Sequence, residues 1–286
     1  MSTSTEISAE NALVLKAIYP RKYFEDFIKC GVFPDGRGIY EFEETEVDIG
    51  DQNQSPTISS TIFHSNCYVY TNRNIEIRRN VKYPFCLNVE IKKVGTKVNL
   101  ESHFTQYVLN LLLSRGVLIS PEALVTGEEA LQFVINSELK LTGSTHGMLQ
   151  PCLMGLISSL ATIELPQLSL EESVTDDCLM KGSNIKVESE KPERLKLNDI
   201  PVATSFSLYQ TNNPDEESKI IYDVPAKNKG YCVSTVQAIT GRDQQIYYLS
   251  GGGSEALVLR RIKRFFEKSG EFRQKWEDQL NEKICK

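Results

Sequence analysis
The stretch from Gln150 to Thr162 holds no charged residue and is apolar at most of its positions. Its spacing predicts a helix, with Pro151 in the first turn, where a missing N–H costs nothing, and with Leu165-Pro166 closing it. A helix that is apolar on most sides has no face to offer water. It must be a central element, with the rest of the chain packed around it.

The chain before it changes period. Met1 to Glu10 is Ser/Thr/Glu-rich and is expected to be disordered, so that residues 1–12 form a flexible tail. Asn11 to Tyr19 carries Leu13, Val14, Ala17 and Ile18 at helical spacing, and Pro20 closes it and opens the next helix, Arg21 to Cys30. Pro34-Asp35-Gly36-Arg37 then predicts a tight turn. Pro34 presets φ, Asp35 can bond forward to the backbone, and Gly36 can take φ > 0. Arg37 leaves that turn with a fixed charge aimed back at the body of the domain. From Tyr40 to Ile91 the period is two, with strands expected over Tyr40 to Ile49, Ile62 to Thr71 and Phe85 to Ile91. Leu100 to Ser114 predicts a helix with Gly116 just past its end, and Leu131 to Leu141 marks another strand.

After the apolar helix, Glu171 to Pro192 is charged and loop-like, with one short hairpin as the alternative within it. It is the expected connector (171–192) between two halves, residues 13–170 and 193–286, of one domain covering 13–286. Strands then restart over Ile200 to Leu208, Lys219 to Val224, Tyr231 to Ile239 and Gln245 to Leu249. A long helix follows from Ser254 to about Lys283, with Gly270 as a point where it can break. Strands then helices, twice over, read as α+β with mixed or antiparallel sheets.

At 286 residues the chain can bury a full core. No apolar run reaches the ~18 residues of a membrane helix, and the N-terminus lacks the segments of a signal peptide, so an intracellular protein is expected. The seven cysteines (Cys30, Cys67, Cys86, Cys152, Cys178, Cys232, Cys285) are scattered, without Cys-x-x-Cys. Neither a disulfide framework nor a zinc site is expected. His64, His103 and His146 have no metal-ligand spacing either, so no metal and no cofactor is assigned. A net charge of −6 argues against a free-standing polyanion binder. Any nucleic acid is expected to meet one small face, inside a larger assembly.

That face is read from one cluster. Arg73, Arg78, Arg79 and Lys82 lie on a strand-and-loop segment and are the candidate RNA-binding residues, able to meet phosphates as forks or point charges. Glu76 among them leaves a solvated face as the alternative. Arg260, Arg261, Lys263 and Arg264 are diluted downstream by Glu267, Glu271, Glu277 and Asp278, as on an exposed amphipathic helix. Gly251-Gly252-Gly253 precedes that helix without a phosphate-loop signature, so close backbone packing is the expected use. No Ser/His/Asp or Cys/His set stands out, His146 in its Gly/Ser/Thr turn is the best-placed histidine, and no catalytic residue is assigned.

An ordered set of motifs runs through the chain. Tyr23-Phe24-Glu25-Asp26-Phe27 comes first, then Pro34-Asp35-Gly36-Arg37 and Glu41 to Gly50, then the apolar helix ending Leu165-Pro166, then Pro201-Val202-Ala203-Thr204-Ser205-Phe206. In this order it resembles the RNase PH-like subunits of the eukaryotic RNA exosome core, over about Pro20 to Leu280. The resemblance implies an RNase PH-like duplicated βαβ-type core with mixed sheets packed on central helices. It implies partners: other RNase PH-like subunits in a hetero-hexameric ring, RNA-binding cap subunits, hydrolytic nucleases, and RNA threading the channel. It also implies RNA processing and degradation, including that of ribosomal RNA, in nucleus, nucleolus and cytoplasm.

Departures from the pattern bear on activity. Active members are phosphorolytic and need a phosphate pocket and a carboxylate near the scissile bond. After Asp223, where relatives carry an acidic stretch, this chain has Val224-Pro225-Ala226-Lys227-Asn228-Lys229. Phe33 stands where relatives have Arg, and Ser65-Asn66 where they have a Gly-Asn pair. Missing carboxylates cannot act as general acid or metal ligand. The expectation is an inactive ring subunit, with a phosphorolytic 3'-to-5' exoribonuclease subunit as the alternative.

Overall fold
A computed structural model describes residues 9–50, 59–64, 67–79, 86–95, 100–125, 131–143, 147–173, 182–211, 218–251 and 255–285. The chain divides into two compact units, each built from several segments.

One unit takes the chain up to Glu43, Thr204–Ile239 and Tyr248–Ser269. It opens with α1 (Ala9–Ile18) and α2 (Pro20–Lys29). Pro20 is at the start of α2, where the lost N–H is one the helix cannot pair anyway. The tight turn follows: the Gly36 N–H donates to Phe33 O (2.9 Å), the Phe33 N–H to Arg37 O (2.7 Å), and Gly36 sits at φ 92°.

The other unit takes Glu44–Ala203, Thr240–Tyr247 and the chain from Gly270 on. Its strands are β1 (Glu46–Ile49), β2 (Ser60–His64), β3 (Cys67–Arg79), β4 (Leu87–Lys93) and, after α3 (Leu100–Ser114), β5 (Leu131–Gly143). They form one mixed sheet in the order β1-β2-β3-β5-β4, antiparallel except for the β4/β5 pair. The apolar helix is α4 (Leu149–Ala161), buried at every position. It lies so close to the sheet that a Cβ on Gly155 would come within 2.8 Å of Thr71 Oγ1. The Ser60 hydroxyl donates to Gly155 O (3.1 Å), tying β2 to the helix. On the β4 edge, Asn110 of α3 accepts from the Val89 N–H (3.2 Å) and donates to Val89 O (3.3 Å), while Gln106 accepts from the Ile91 N–H. Helix side chains thus take the place of a further strand.

Beyond α4 come β6 (Glu164–Ser173) and β7 (Gly182–Arg194), paired antiparallel as a two-stranded sheet. One expectation changes here and another is resolved in favour of its hairpin alternative. The helix ends at Ala161, before Leu165-Pro166, which belong to β6. The Glu171 to Pro192 stretch is largely paired strand where it is described. Its register shifts between Leu165 and Gln167, where Pro166 has no N–H to give the ladder.

The remaining strands, β8 (Val202–Tyr209), β9 (Lys219–Tyr222), β10 (Ser234–Thr240) and β11 (Ile246–Gly251), form a four-stranded sheet in the order β11-β10-β8-β9. Alternation along β9 sends its side chains into two cores. Ile221 joins Phe24, Ile28, Phe33, Ile39, Tyr209 and Val224, whereas Ile220 and Tyr222 join Phe206, Val236, Ala238 and Phe265. One face of this sheet therefore carries α2 and the other the first half of α5 (Glu255–Ile284). α5 runs without a break through Gly270. The expected strand from Tyr40 shortens to Glu46–Ile49. The segment before it is held on the outer edge of β9, with the Tyr222 N–H donating to Ile39 O (2.8 Å). Mixed sheets with helices packed on them make the α+β class plain.

Candidate nucleic-acid interface
β3 carries three of the four candidate RNA-binding residues, and strand alternation separates them. Arg73 points to the α4 side and is only partly exposed. Its guanidinium donates to Ser159 O (2.6 Å), Thr162 Oγ1 (2.6 Å) and Thr162 O (3.3 Å), at the carbonyl end of α4. A cation there meets the negative end of the helix dipole and satisfies carbonyls the helix leaves unpaired. Burial lowers the Arg73 pKa, and Glu164 opposes the shift. Arg78 is on the opposite face, exposed, with its guanidinium 2.9 Å from Glu76 Oε2. Arg79 is exposed and shares the strand face of Arg73. Lys82 lies outside the described residues. The structure thus commits Arg73 to α4 and leaves Arg78 and Arg79 at the end of the strand.

The corner around Asp223 is where the acidic stretch of relatives would begin. Asp223 has φ 44°, a left-handed conformation that costs a non-glycine residue about 1 kcal/mol or more. Its surroundings hold it there. The carboxylate accepts from the Glu43 N–H (3.1 Å) and the Ser205 hydroxyl (3.3 Å), and its carbonyl accepts from Arg37 Nη2 (2.8 Å). Arg37 also donates to Glu41 O (2.7 Å) and lies over the Phe33 ring, 4.7 Å from its centre. The charge leaving the Pro34-Asp35-Gly36-Arg37 turn is indeed aimed back into its unit. Beyond Asp223, Val224 is buried and Lys227 exposed, with a short 3-10 turn over Ala226–Tyr231. Phe33 is fully buried among apolar side chains, a position with no room for a solvated charge. Ser65-Asn66 lies outside the described residues.

Other candidates resolve into structural roles. His64 is buried, its Nδ1 2.9 Å from Thr45 Oγ1. His103 is exposed on α3, and His146 lies outside the described residues. Burial pushes the thiols of Cys67 and Cys232 up to about 11 and also raises those of Cys86 and Cys152, the opposite of what a nucleophile needs. Cys178 lies outside the described residues. Arg264 sits 5.2 Å from the centre of the Tyr40 ring, a cation–π contact. A Cβ on Gly251 would come within 2.3 Å of Thr235 O, so this glycine serves close backbone packing, while Gly252 and Gly253 lie outside the described residues.

Sequence reasoning missed a network around Asp199. This buried carboxylate accepts from Tyr247 Oη (2.7 Å) and from the N–H groups of Arg242 (3.0 Å) and Ile200 (2.7 Å). Arg242 and Arg273 then share Glu277 of α5, each at 2.7 Å. An acid next to Ile200-Pro201 gave the only hint.

No protein-family model matches the chain. Its fold matches those of solved structures over most of this chain and nearly all of theirs, as three of them illustrate. A chain of an archaeal exosome core aligns with TM-score 0.62 at 14% identity, over 94% of this chain and 99% of that one. A chain of the Archaeoglobus fulgidus exosome with RNA bound to the active site aligns with TM-score 0.64 at 14% identity, over 93% and 99%. Rice (Oryza sativa) Rrp46 aligns with TM-score 0.56 at 10% identity, over 88% and 99%. At such identities the likeness is one of fold, and that fold is the RNase PH-like one expected.

Proposed function
We propose that the chain is a non-catalytic subunit of an exosome-type ring, nearest in kind to ribosomal RNA-processing protein 43. The observation that carries this reading is the near-complete match to exosome core chains, with 94% of this chain and 99% of an archaeal core chain covered. A fold shared over 94% of this chain and 99% of the other suits a chain that occupies an equivalent place in a similar assembly. In that place it would sit among other RNase PH-like subunits, beneath RNA-binding caps, and hand RNA to hydrolytic nucleases. Such work belongs in the nucleus, the nucleolus and the cytoplasm.

The chemistry after Asp223 supports the non-catalytic part. Phosphorolysis needs a carboxylate near the scissile bond and positive groups around phosphate. Residues 224–229 supply two lysines and no acid. Asp223 already spends both carboxylate oxygens on Ser205 and the Glu43 N–H. Phe33 offers the phosphate no charge.

Incubation of the purified chain with RNA and inorganic phosphate tests this directly. No nucleoside diphosphate is expected, alone or with a ring partner. Its release would replace this reading with that of a phosphorolytic 3'-to-5' exoribonuclease subunit.

A further inference from the structure
The outward face of the five-stranded sheet carries a cluster of aromatic rings beside acidic side chains. Ile62, Val69 and Thr71 face α4, since a Cβ on Gly155 would lie 2.8 to 3.5 Å from all three. By alternation Phe63, Tyr68 and Tyr70 therefore face away from α4. The Phe63 and Tyr68 rings are 4.7 Å apart, and Tyr68 and Tyr70 are nearly parallel, at 12° and 6.3 Å. Tyr68 is 43% exposed. The strand register puts Glu46 opposite Phe63, Phe63 opposite Tyr68, Asp48 opposite Thr61, and Thr61 opposite Tyr70. Two exposed acids of the edge strand thus flank three aromatic rings in two adjoining rows.

We propose that this corner docks an extended protein segment bearing arginine or lysine. Charge selects the partner. On the far side of the rings, Lys140 and Lys92 both turn to Glu138, at 3.2 and 2.5 Å, and Lys92 also meets Glu90 at 3.3 Å. Those cations are already neutralised. Among the described residues no cation accompanies Glu46 or Asp48, so the corner keeps a surplus of negative charge that repels a polyanion and attracts a cation. Tyrosine faces next to carboxylates are the surroundings a guanidinium or ammonium group prefers, through cation–π contact and ion pairing together.

Backbone geometry selects an extended segment. Among the described residues β1 has a strand neighbour on one side only, whereas the opposite edge of the same sheet is closed by Asn110 and Gln106. An added strand on β1 would project alternate side chains to the outward face, beside Glu46, Asp48 and the rings. The inference goes beyond the ring reading and does not depend on it.

Fluorescence anisotropy on the full chain tests it with three labelled probes: an alternating arginine–valine peptide, its glutamate–valine counterpart, and an oligouridylate. The arginine peptide is expected to bind best. The Glu46→Gln/Asp48→Asn double variant, which keeps side-chain size, should weaken it about tenfold, and Tyr68→Ala about fivefold. Should Tyr68→Ala fail to fold, the double variant decides alone. Unchanged affinity in the double variant would overturn the proposal. Preference for the oligouridylate would overturn it too, and would make the face a stacking platform for nucleic acid.

Discussion

The Arg73 guanidinium lies 2.6 Å from Thr162 Oγ1 and 3.3 Å from the Thr162 carbonyl, closing the C-terminal end of the central helix. A cation that sequence groups with Arg78, Arg79 and Lys82 is thereby held by a helix end. Replacing Arg73 with alanine would remove three charge-assisted hydrogen bonds from the part-buried end of α4 and should cost about 2–3 kcal/mol of stability. Arg78→Ala removes only an exposed pair with Glu76 and should stay within about 0.5 kcal/mol. Urea unfolding of the two variants checks this, and equal midpoints would contradict it.

Gly155→Ala should destabilise the chain by about 1–3 kcal/mol, because its Cβ meets Thr71 Oγ1 at 2.8 Å in a well-packed interior. The Thr71→Ala change removes that atom. In the double variant much of the Gly155→Ala cost should disappear, and a double-mutant cycle reads the coupling. Strictly additive effects would mean that the helix simply shifts away.

Tyr247 has its hydroxyl pushed up to about 12, first by burial and then by donation to Asp199. A raised phenol pKa means that the folded state holds the proton longer than the unfolded one. The stability this gives is complete below the ordinary phenol value, about 10, and is lost as pH rises towards about 12. Thermal melts between those values should fall less steeply for Tyr247→Phe than for the parent chain. Parallel slopes would contradict the coupling to Asp199.

Thiol labelling of the native chain should mark Cys30 and Cys285, which are exposed, and spare Cys67, Cys86 and Cys152, which are buried with raised pKa values. Peptide mapping after brief alkylation at neutral pH distinguishes them.

If RNA meets the end of β3, the combined Arg78→Ala, Arg79→Ala and Lys82→Ala changes should weaken RNA protection by the assembled protein and flatten its salt dependence. Arg73 is left in place so that helix packing is not tested at the same time. Unchanged protection would assign these residues to the surface.

The elements most legible in sequence were those whose signal is local. An uncharged run makes α4 central, and Pro34-Asp35-Gly36-Arg37 makes the turn it should. Arg37 reaches back to a carbonyl 186 positions away, a direction that turn chemistry hinted at without naming the acceptor. The β6/β7 pair was legible only as a possible short hairpin, because charged residues surround the brief alternations Leu168/Leu170 and Ile185/Val187 that pair with each other. The split of Arg73 from Arg78 was hidden for another reason. Side-chain direction on a strand depends on which face is covered, and α4 enters the chain long after β3. Contacts of Asp199 with Arg242 and Tyr247, 43 and 48 positions on, leave no local trace at all.

The central claim, a non-catalytic place in an exosome-type ring, is tested most directly by what the chain is bound to. Affinity purification of the tagged chain from its native cells, followed by mass spectrometry, should recover other RNase PH-like subunits in near-equal amounts. Recovery of the chain as a lone monomer would contradict it.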